Sequence, residues 1–432
     1  MDLTAFLIDL FLLLAAAVLV GELTSRLGQT ALVGQLLVGV VLGPTLLGPY
    51  LGLSTSTPGF SGIQFLATFF ILVMAGLEVS IEEIYATGLS SGLLGGAVFV
   101  GPFLLAALTL PFLLPGLPPL TSLFVALTLS ITALPVMGVM LREFGLSRSK
   151  LGRVLMNTAV LNELAAVTVF AVLLRLGTGS GFVAAAIAVV SVAVFLTTVL
   201  SAHMALRALR ATRAWERLRR NFRRTWRSRE AGFAVLMVMA LGSALYSQYL
   251  GLTFLVGAFY AGLLITPESA GPRSHRSISQ VFDAMTWGFF IPLFFAFVGL
   301  GMNLRLLAGA PADLALFGGI VALAILGKVG VGALVARLQR WATPQAMAIG
   351  FFVSSRGAVE LAMAVILLQS GIFSPRLYTI VAAVGLITTI VAPIGAAYFG
   401  GPRLDRRGSG IVGWKAGAPP LPLTGAEVPP DP

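Results

Sequence analysis

The sequence alternates between long apolar runs and short polar segments that carry most of its charged residues. Each run is about 20 residues long, the length that an α-helix needs to cross the hydrocarbon core of a bilayer. Breaks at Gly, Pro and charge clusters divide the chain into about thirteen runs, at residues 4–24, 30–48, 61–79, 91–114, 119–141, 152–175, 181–204, 231–249, 252–267, 280–302, 313–337, 344–370 and 375–399. The pattern predicts an all-α polytopic membrane protein.

Composition agrees with this prediction, because 57% of the 432 residues are hydrophobic, 10% are charged and the mean hydropathy is +0.97. In a soluble protein the net charge of +11 would suggest nucleic acid binding, but here the basic residues lie in the loops between apolar runs. We therefore expect a lipid membrane as a partner and no nucleic acid. Cysteine is absent and the only histidines, His203 and His275, lie near helix ends. We expect no cofactor and no enzymatic activity.

The 28 Lys and Arg residues predict the orientation of the chain. When they are assigned to alternate loops, 23 fall on one side and 3 on the other, and Lys328 and Arg356 lie inside runs. Because cytoplasmic loops carry the excess of Lys and Arg, we expect a multi-pass protein of the bacterial inner membrane with its N-terminus outside and its C-terminus in the cytoplasm. The first run lacks the features of a signal peptide, so we expect it to be retained as a helix.

The arginine-rich stretch at 205–230 is predicted to connect two halves of a transmembrane domain at 1–400. A regulatory or anionic-lipid-binding element is the alternative, but long positive cytoplasmic connectors are more common. Residues 401–432 are rich in Pro and Gly and predict a disordered cytoplasmic tail, too short for a folded domain. We expect no nucleotide-binding domain after the last span.

Glu163 lies in the middle of the apolar run at 155–174, next to Asn162. A charge at that depth costs at least a few kcal/mol, so it should face a cavity or a partner and marks a functional site. Asn162 can donate and accept hydrogen bonds without carrying charge. We expect this pair to bind and release a small cation.

Lys328 is the only lysine inside an apolar run, and Gly327, Gly330 and Gly332 leave space for another helix beside it. A desolvated ammonium should pair with Glu163, hydrogen-bond Asn162 and nearby carbonyls, or lose its proton. Structural support and direct participation in transport are both open.

Arg356 and Glu360 are four residues apart, which places an opposite-charge pair on one helix face. We expect the two charges to neutralise each other and to fix the helix around the site.

Two runs contain residues that favour interruption of a helix at membrane depth. Ser130, Thr132 and Pro135 do so in the first half of the chain, and a second group follows the same pattern in the second half: Ser354, Ser355 and Gly357. Interrupted backbone at that depth lines a polar cavity, where freed carbonyls and half-helix dipoles can hold a cation.

With these residues in place, the chain resembles the monovalent cation/proton antiporter superfamily, especially the branch of bacterial sodium/proton antiporters and potassium-efflux proteins. The similar stretches are GQLLVGVVLGP at 34–44, AGLEVS at 75–80, TLSITALPVMGVMLREFGL at 128–146, NE at 162–163, IPLFFAFVGLGMNL at 291–304, GKVGVG at 327–332 and RGAVELAMAVI at 356–366. Their order and spacing together are specific.

The resemblance implies the sodium/proton antiporter fold, with inverted repeats, two unwound crossing helices and interleaved core and dimerisation subdomains in a homodimer. It also implies that Glu163 is the acid that alternately binds the cation and protons, beside Asn162. Thr132 falls in the first unwound crossing with Ser130, and Lys328 takes the place of the basic residue opposite the acid. Many relatives have Asp at the position of Glu163, and the longer side chain bears on ion preference.

The expected function is exchange of Na⁺ or K⁺ for protons by alternating access, with a one-for-one, electroneutral cycle because Glu163 is the only acid of the pair. Release of a proton by Lys328 would make the cycle electrogenic. The alternatives are a cation channel, a potassium-efflux protein without its regulatory domain, and a membrane-embedded enzyme. No repeated filter-like segment and no catalytic cluster supports the first or the last of these.

Overall fold

A computed structural model describes residues 3–27, 29–51, 58–78, 88–147, 149–177, 181–210, 212, 231–264, 272–307, 309 and 311–400. These residues form helices, turns and short irregular segments, without a strand. The predicted tail at 401–432 and most of the predicted connector at 205–230 lie outside the described residues; the first residues of the connector continue a helix as far as Arg210.

The helices follow the apolar runs. They are α1 Leu3–Arg26, α2 Ala31–Leu42, α3 Gly48–Leu51, α4 Pro58–Leu77, α5 Gly88–Leu113, α6 Pro119–Thr128, α7 Leu134–Glu143, α8 Lys150–Gly177, α9 Gly181–Arg210, α10 Ala231–Tyr249, α11 Phe254–Leu264, α12 Pro272–Met285, α13 Ile291–Leu300, α14 Pro311–Leu338, α15 Thr343–Val353, α16 Ala358–Gln369 and α17 Pro375–Gly400. A π-helical turn, Thr286–Phe290, joins α12 to α13. The all-α membrane architecture is therefore confirmed.

Among the described residues, seven helices are long and apolar enough to cross a membrane. The pair α15 and α16, bent by 40° at a short break, passes the same test together, and five shorter apolar helices lie within α2, α6, α9, α10 and α11. Every predicted run contains a helix or a pair of helices, but a count of thirteen crossings stays a prediction.

The helices form two groups by their contacts. In the scaffold group, α1 packs on α2, α2 on α13, α10 on α11 and α11 on α4. In the crossing group, α5 packs on α8 and α14, α14 on α15, and α15 on α17. The packing of α2 on α13 has its counterpart in that of α11 on α4, with the chain halves exchanged, and the interrupted pair α6 and α7 corresponds to α15 and α16. This is the inverted-repeat architecture of the sodium/proton antiporter fold.

Glycine pairs bring the scaffold helices into close contact. A Cβ added to Gly39 in α2 would lie 2.0 Å from the carbonyl oxygen of Ala296 in α13, and one added to Gly76 in α4 would lie 1.9 Å from that of Phe259 in α11. No other residue type fits at such a distance, so backbone packing fixes these two equivalent contacts.

The two groups touch each other more sparsely. Near the start of α17, the Tyr378 hydroxyl donates to the Val298 carbonyl at 2.9 Å, and the Asn303 amide donates to the Thr379 hydroxyl at 3.1 Å. Tyr378 and Thr379 belong to the crossing group, whereas Val298 and Asn303 belong to or follow α13. A few directed hydrogen bonds thus supplement the apolar contact between the groups.

Candidate ion-binding site

The first interruption follows α6, whose last turn is closed by its own side chains. The Thr128 hydroxyl donates to the Val125 carbonyl at 2.8 Å, and the Ser130 hydroxyl donates to the Ala126 carbonyl at 2.7 Å. Helical structure resumes at Leu134, and Pro at one of the first two positions of α7 suits a helix start because it lacks an N–H. The break therefore leaves backbone groups free at both half-helix ends, as predicted.

Asn162 on α8 fixes the conformation of this break. Its Oδ1 accepts from the Thr132 amide at 2.7 Å, and its Nδ2 donates to the Ser130 carbonyl at 3.1 Å and to the Val98 carbonyl at 3.5 Å. A neutral amide can hold an amide and a carbonyl at once, which a carboxylate cannot. Asn162 thus positions the site by joining α8 to both sides of the unwound segment and to α5.

Glu163 is fully buried beside the same break. Its Oε1 accepts from the Leu134 amide, the first of α7, at 3.2 Å. Its Oε2 has no hydrogen-bond partner among the described residues. One oxygen is therefore held at the positive end of a half-helix, while the other is free to take a proton or a cation.

Two basic side chains cap the carbonyl end of α6. Lys328 on α14 donates to the Ser130 carbonyl, which also accepts from Asn162. The Arg356 guanidinium donates to the Thr128 carbonyl at 2.5 Å and to the Leu129 carbonyl at 2.6 Å. Positive charge is favourable at the C-terminal end of a helix, where carbonyls lack intrahelical partners. Three consecutive free carbonyls are satisfied in this way.

Of the arrangements expected for Lys328, the structure has the hydrogen bond to a nearby carbonyl, that of Ser130. Ion pairs in the described part of the chain include Arg26 with Glu22, Arg356 with Glu360 and Arg376 with Asp313, and Lys328 forms none with another described residue. Lys328 therefore does not pair with Glu163 in this conformation.

Arg356 and Glu360 form the expected ion pair, 3.0 Å between Nη1 and Oε1, and both are fully or almost fully buried. Arg356 lies in the unwound segment before α16, whereas Glu360 lies in the first turn of that helix. A buried pair with extra hydrogen bonds fixes local geometry, and removing one partner leaves an uncompensated charge. The pair thus connects the second interruption to the carbonyl end of the first.

The two unwound segments also contact each other directly. The Ala133 amide donates to the Ser355 carbonyl at 3.0 Å, and the Thr132 hydroxyl donates to the Val353 carbonyl at 2.7 Å. A Cβ added to Gly357 would lie 2.8 Å from that of Ala133, so the close approach requires glycine there. The seven predicted site residues, Glu163, Asn162, Thr132, Ser130, Lys328, Arg356 and Glu360, all lie at this crossing.

Two contributions were not apparent from the sequence. The Thr389 hydroxyl of α17 lies 2.7 Å from the Gly385 carbonyl of its own helix and 3.1 Å from the Arg356 carbonyl, so it contacts the second unwound segment. Ser355, interpreted as a residue that interrupts a helix, is fully buried with a hydroxyl that has no partner among the described residues. The contribution of Thr389 could have been suspected from the sequence, because two adjacent threonines, at 388 and 389, interrupt an apolar run. No group of three or more His, Cys, Asp or Glu lies together in the described part of the chain.

Comparison with known proteins agrees with this architecture. The sodium/proton antiporter NhaS4 of Synechocystis sp. is 25% identical over 402 residues, which cover 89% of this chain and 94% of that protein. The Na⁺/H⁺-K⁺ antiporter GerN of Bacillus cereus is 26% identical over 393 residues, covering 90% and 94%. The K⁺/H⁺ antiporter 1 of Saccharomyces cerevisiae is 26% identical over 412 residues, covering 90% of this chain and 46% of that protein.

Among solved structures, the sodium proton antiporter MjNhaP1 of Methanocaldococcus jannaschii at pH 8 has the same fold, with a TM-score of 0.65 and 16% identity over 93% of this chain and 98% of that one. The sequence profile of the family described as sodium/hydrogen exchanger, transmembrane, matches residues 12–399. The match includes both interruptions and every predicted site residue, and the chain belongs to this family of transmembrane sodium/hydrogen exchangers.

Proposed function

We propose that this protein is a secondary transporter that exchanges a monovalent cation, Na⁺ or K⁺, for protons across the membrane. The observation that carries the proposal is Glu163, a fully buried carboxylate with one oxygen held by the Leu134 amide and the other without a partner in the described part of the chain. A buried carboxylate in a membrane segment needs compensation, and either a proton or a monovalent cation at Oε2 supplies one positive charge. Because both would occupy the same oxygen, they compete.

The surroundings of Glu163 suit this role because the neighbouring amide and basic side chains already hold parts of the crossing. Asn162 uses its amide to hold Thr132 and Ser130, and Lys328 and Arg356 bind the carbonyls at the end of α6. Glu163 is thus the acid of the site whose protonation can change without breaking a supporting ion pair. We assign it the binding of both the cation and the proton, with no cofactor.

Alternating access follows from the two helix groups. We propose that the crossing group carries Glu163 past the scaffold group, because the glycine contacts fix the scaffold helices to one another while contacts between the groups are sparse. Binding of either ion neutralises Glu163, and only then can the site cross the apolar boundary. A site with an ionised Glu163 and no bound ion cannot cross, so cation movement in one direction requires proton movement in the other.

We further propose, from the resemblance to the antiporter superfamily, that the chain is a homodimer of the bacterial inner membrane. The 23 to 3 distribution of basic residues supports an orientation with the N-terminus outside. A reporter fused after Arg403 should then lie in the cytoplasm, and a tag at the N-terminus should be accessible from outside. The opposite result at either end would refute this orientation.

The test of function is proton movement in everted vesicles from a host lacking its own antiporters. After acidification of the vesicle interior, Na⁺, K⁺ and Li⁺ are added in turn, with choline as the control cation. Exchange predicts that at least one alkali cation dissipates the pH gradient only when the wild-type protein is present. Cation flux that proceeds without proton counterflow would instead indicate a channel.

A further inference from the structure

Ser355 presents an unpartnered hydroxyl in the second interruption. The residue is fully buried, and its Oγ has no hydrogen-bond partner among the described residues. The preceding Ser354 differs, because its hydroxyl donates to the Phe351 carbonyl of its own helix end at 2.8 Å. Leaving a buried hydroxyl unpaired is unfavourable, so a group that binds to it part of the time is indicated.

The first unwound segment contacts both Ser355 and Glu163. The Ala133 amide donates to the Ser355 carbonyl at 3.0 Å, and the next amide, of Leu134, donates to Glu163 Oε1 at 3.2 Å. Consecutive amides of one extended segment thus hold the two residues. Each contributes one buried oxygen without a partner, Ser355 Oγ and Glu163 Oε2.

The charged neighbours are engaged elsewhere. Arg356, the next residue, directs its terminal nitrogens to the Thr128 and Leu129 carbonyls and to Glu360, and Lys328 binds the Ser130 carbonyl. In the described part of the chain, neither side chain hydrogen-bonds to Ser355 Oγ or to Glu163 Oε2. These two oxygens are therefore available to a ligand from outside the chain.

We propose that Ser355 Oγ is a ligand of the transported cation, together with Glu163 Oε2. The proposal rests on the exchange function above and extends it to the second interruption. A desolvated alkali cation needs several oxygen ligands to replace its hydration shell, whereas a proton needs one carboxylate oxygen. Ser355 therefore acts on cation binding and not on proton binding.

This difference gives a specific result for Ser355→Ala. The apparent KM for the cation should rise by about tenfold, the loss expected for one neutral oxygen contact. The pH below which the apparent KM begins to rise should stay that of the wild type, because the proton affinity of Glu163 is unchanged. Maximal exchange at saturating cation should also be retained.

Two further variants separate ligation from packing. Ser355→Cys keeps the volume of the side chain but replaces a hard oxygen with a soft sulfur, which is a poor ligand for alkali cations. It should lose affinity as Ser355→Ala does, whereas a packing role predicts that Cys restores it. Ser354→Ala, which removes a hydroxyl already bonded to its own helix, is the matched control and should keep the wild-type KM.

A second measurement does not depend on transport. In detergent, the alkali cation should raise the melting temperature of the wild type and of Ser354→Ala, and about tenfold more cation should be needed for Ser355→Ala. Unchanged KM and unchanged cation stabilisation in both Ser355 variants would refute the proposal. If the wild type showed no cation-dependent exchange, the proposed function itself would fail, which is a different result.

Discussion

The two interrupted helices have the same architecture, but charged side chains contact the half-helix ends of the first and a neutral hydroxyl and a closed ion pair lie at those of the second. In the first, the carbonyl end of α6 is capped by Lys328 and Arg356, and the amide end of α7 faces Glu163, which keeps one free oxygen. In the second, the carbonyl end of α15 accepts the neutral Thr132 hydroxyl, and the charges at the start of α16 pair with each other. The difference supports the proposal that the first interruption supplies the carboxylate that exchanges ions, whereas the second stabilises the crossing and contributes only a neutral hydroxyl, that of Ser355.

The charges of the whole crossing sharpen this comparison. Glu163, Glu360, Lys328 and Arg356 are all buried, but Lys328 and Arg356 bind carbonyls and Glu360 pairs with Arg356, so Glu163 is the charge that pairs with no described side chain. Binding of a proton or of a monovalent cation at Glu163 neutralises this charge to the same extent. The two loaded forms of the site are thus electrostatically alike, which is what a carrier needs if it is to move with either ion.

The largest effect is expected at the free acid. Glu163→Gln should abolish exchange while the protein still inserts, because an amide can neither release a proton nor neutralise a cation. The measurement is vesicle exchange across the full pH range, with the amount of inserted protein checked. Glu163→Asp, which keeps the charge, should retain activity with altered affinity. Substantial transport by the Gln variant at any pH would refute the assignment of cation and proton binding to Glu163 at the first interruption.

The next effect is on stability and belongs to the second interruption. Arg356→Ala leaves Glu360 unpaired and removes the donors to the Thr128 and Leu129 carbonyls, so unfolding should become easier by about 3 kcal/mol or more. A lower melting temperature in detergent is the readout. Glu360→Gln should cost less, because Arg356 keeps both carbonyls.

The chain offers a matched control for this pair. Arg26 and Glu22 are also four residues apart and 3.2 Å from each other, but both are exposed. Since exposed pairs contribute little, Glu22→Gln should leave the melting temperature unchanged. If Glu360→Gln and Glu22→Gln changed the melting temperature equally, the buried pair would not stabilise the crossing as proposed.

A smaller loss of stability is expected for Lys328→Ala. It removes one donor to the Ser130 carbonyl, but Asn162 still donates to the same oxygen, so the cost should be about 1–2 kcal/mol. The melting temperature should fall by less than in Arg356→Ala. If stability is unchanged but turnover vanishes, Lys328 takes part directly in the transport cycle.

The sequence predicted which residues meet at the crossing better than which of their atoms make the contacts. Both interruptions were marked locally by Ser, Thr, Pro and Gly, and the structure confirms them. The partner of Lys328 stayed open, because the pattern of one helix does not show which carbonyl of another faces it. Ser130 illustrates the same limit: its hydroxyl closes its own helix end, whereas its carbonyl, which any residue would supply, joins Lys328 to Asn162. The residue type therefore does not show which partner a backbone carbonyl binds.

The smallest expected effect is that of membrane potential. If the second interruption keeps its charges and Lys328 keeps one protonation state, Glu163 alone carries one proton or one cation, and exchange is one for one. Such a cycle moves no net charge. A potential of ~100 mV, worth about 2.3 kcal/mol per charge moved across the membrane, should then leave the equilibrium cation distribution unchanged.

Reconstituted liposomes can test this with a Na⁺ gradient and a K⁺ potential clamped by valinomycin, after a control that K⁺ itself is not transported. The reversal pH, at which net proton movement stops, should depend on the Na⁺ gradient alone. A reversal pH that shifts with voltage would require a second proton in the cycle, and the proton released would have to come from another buried group of the crossing. Lys328 is the candidate, since it contacts the first interruption through one carbonyl and has no ion-pair partner there. Loss of the voltage dependence in Lys328→Gln would then assign that proton, and the first interruption would hold two titrating groups instead of one.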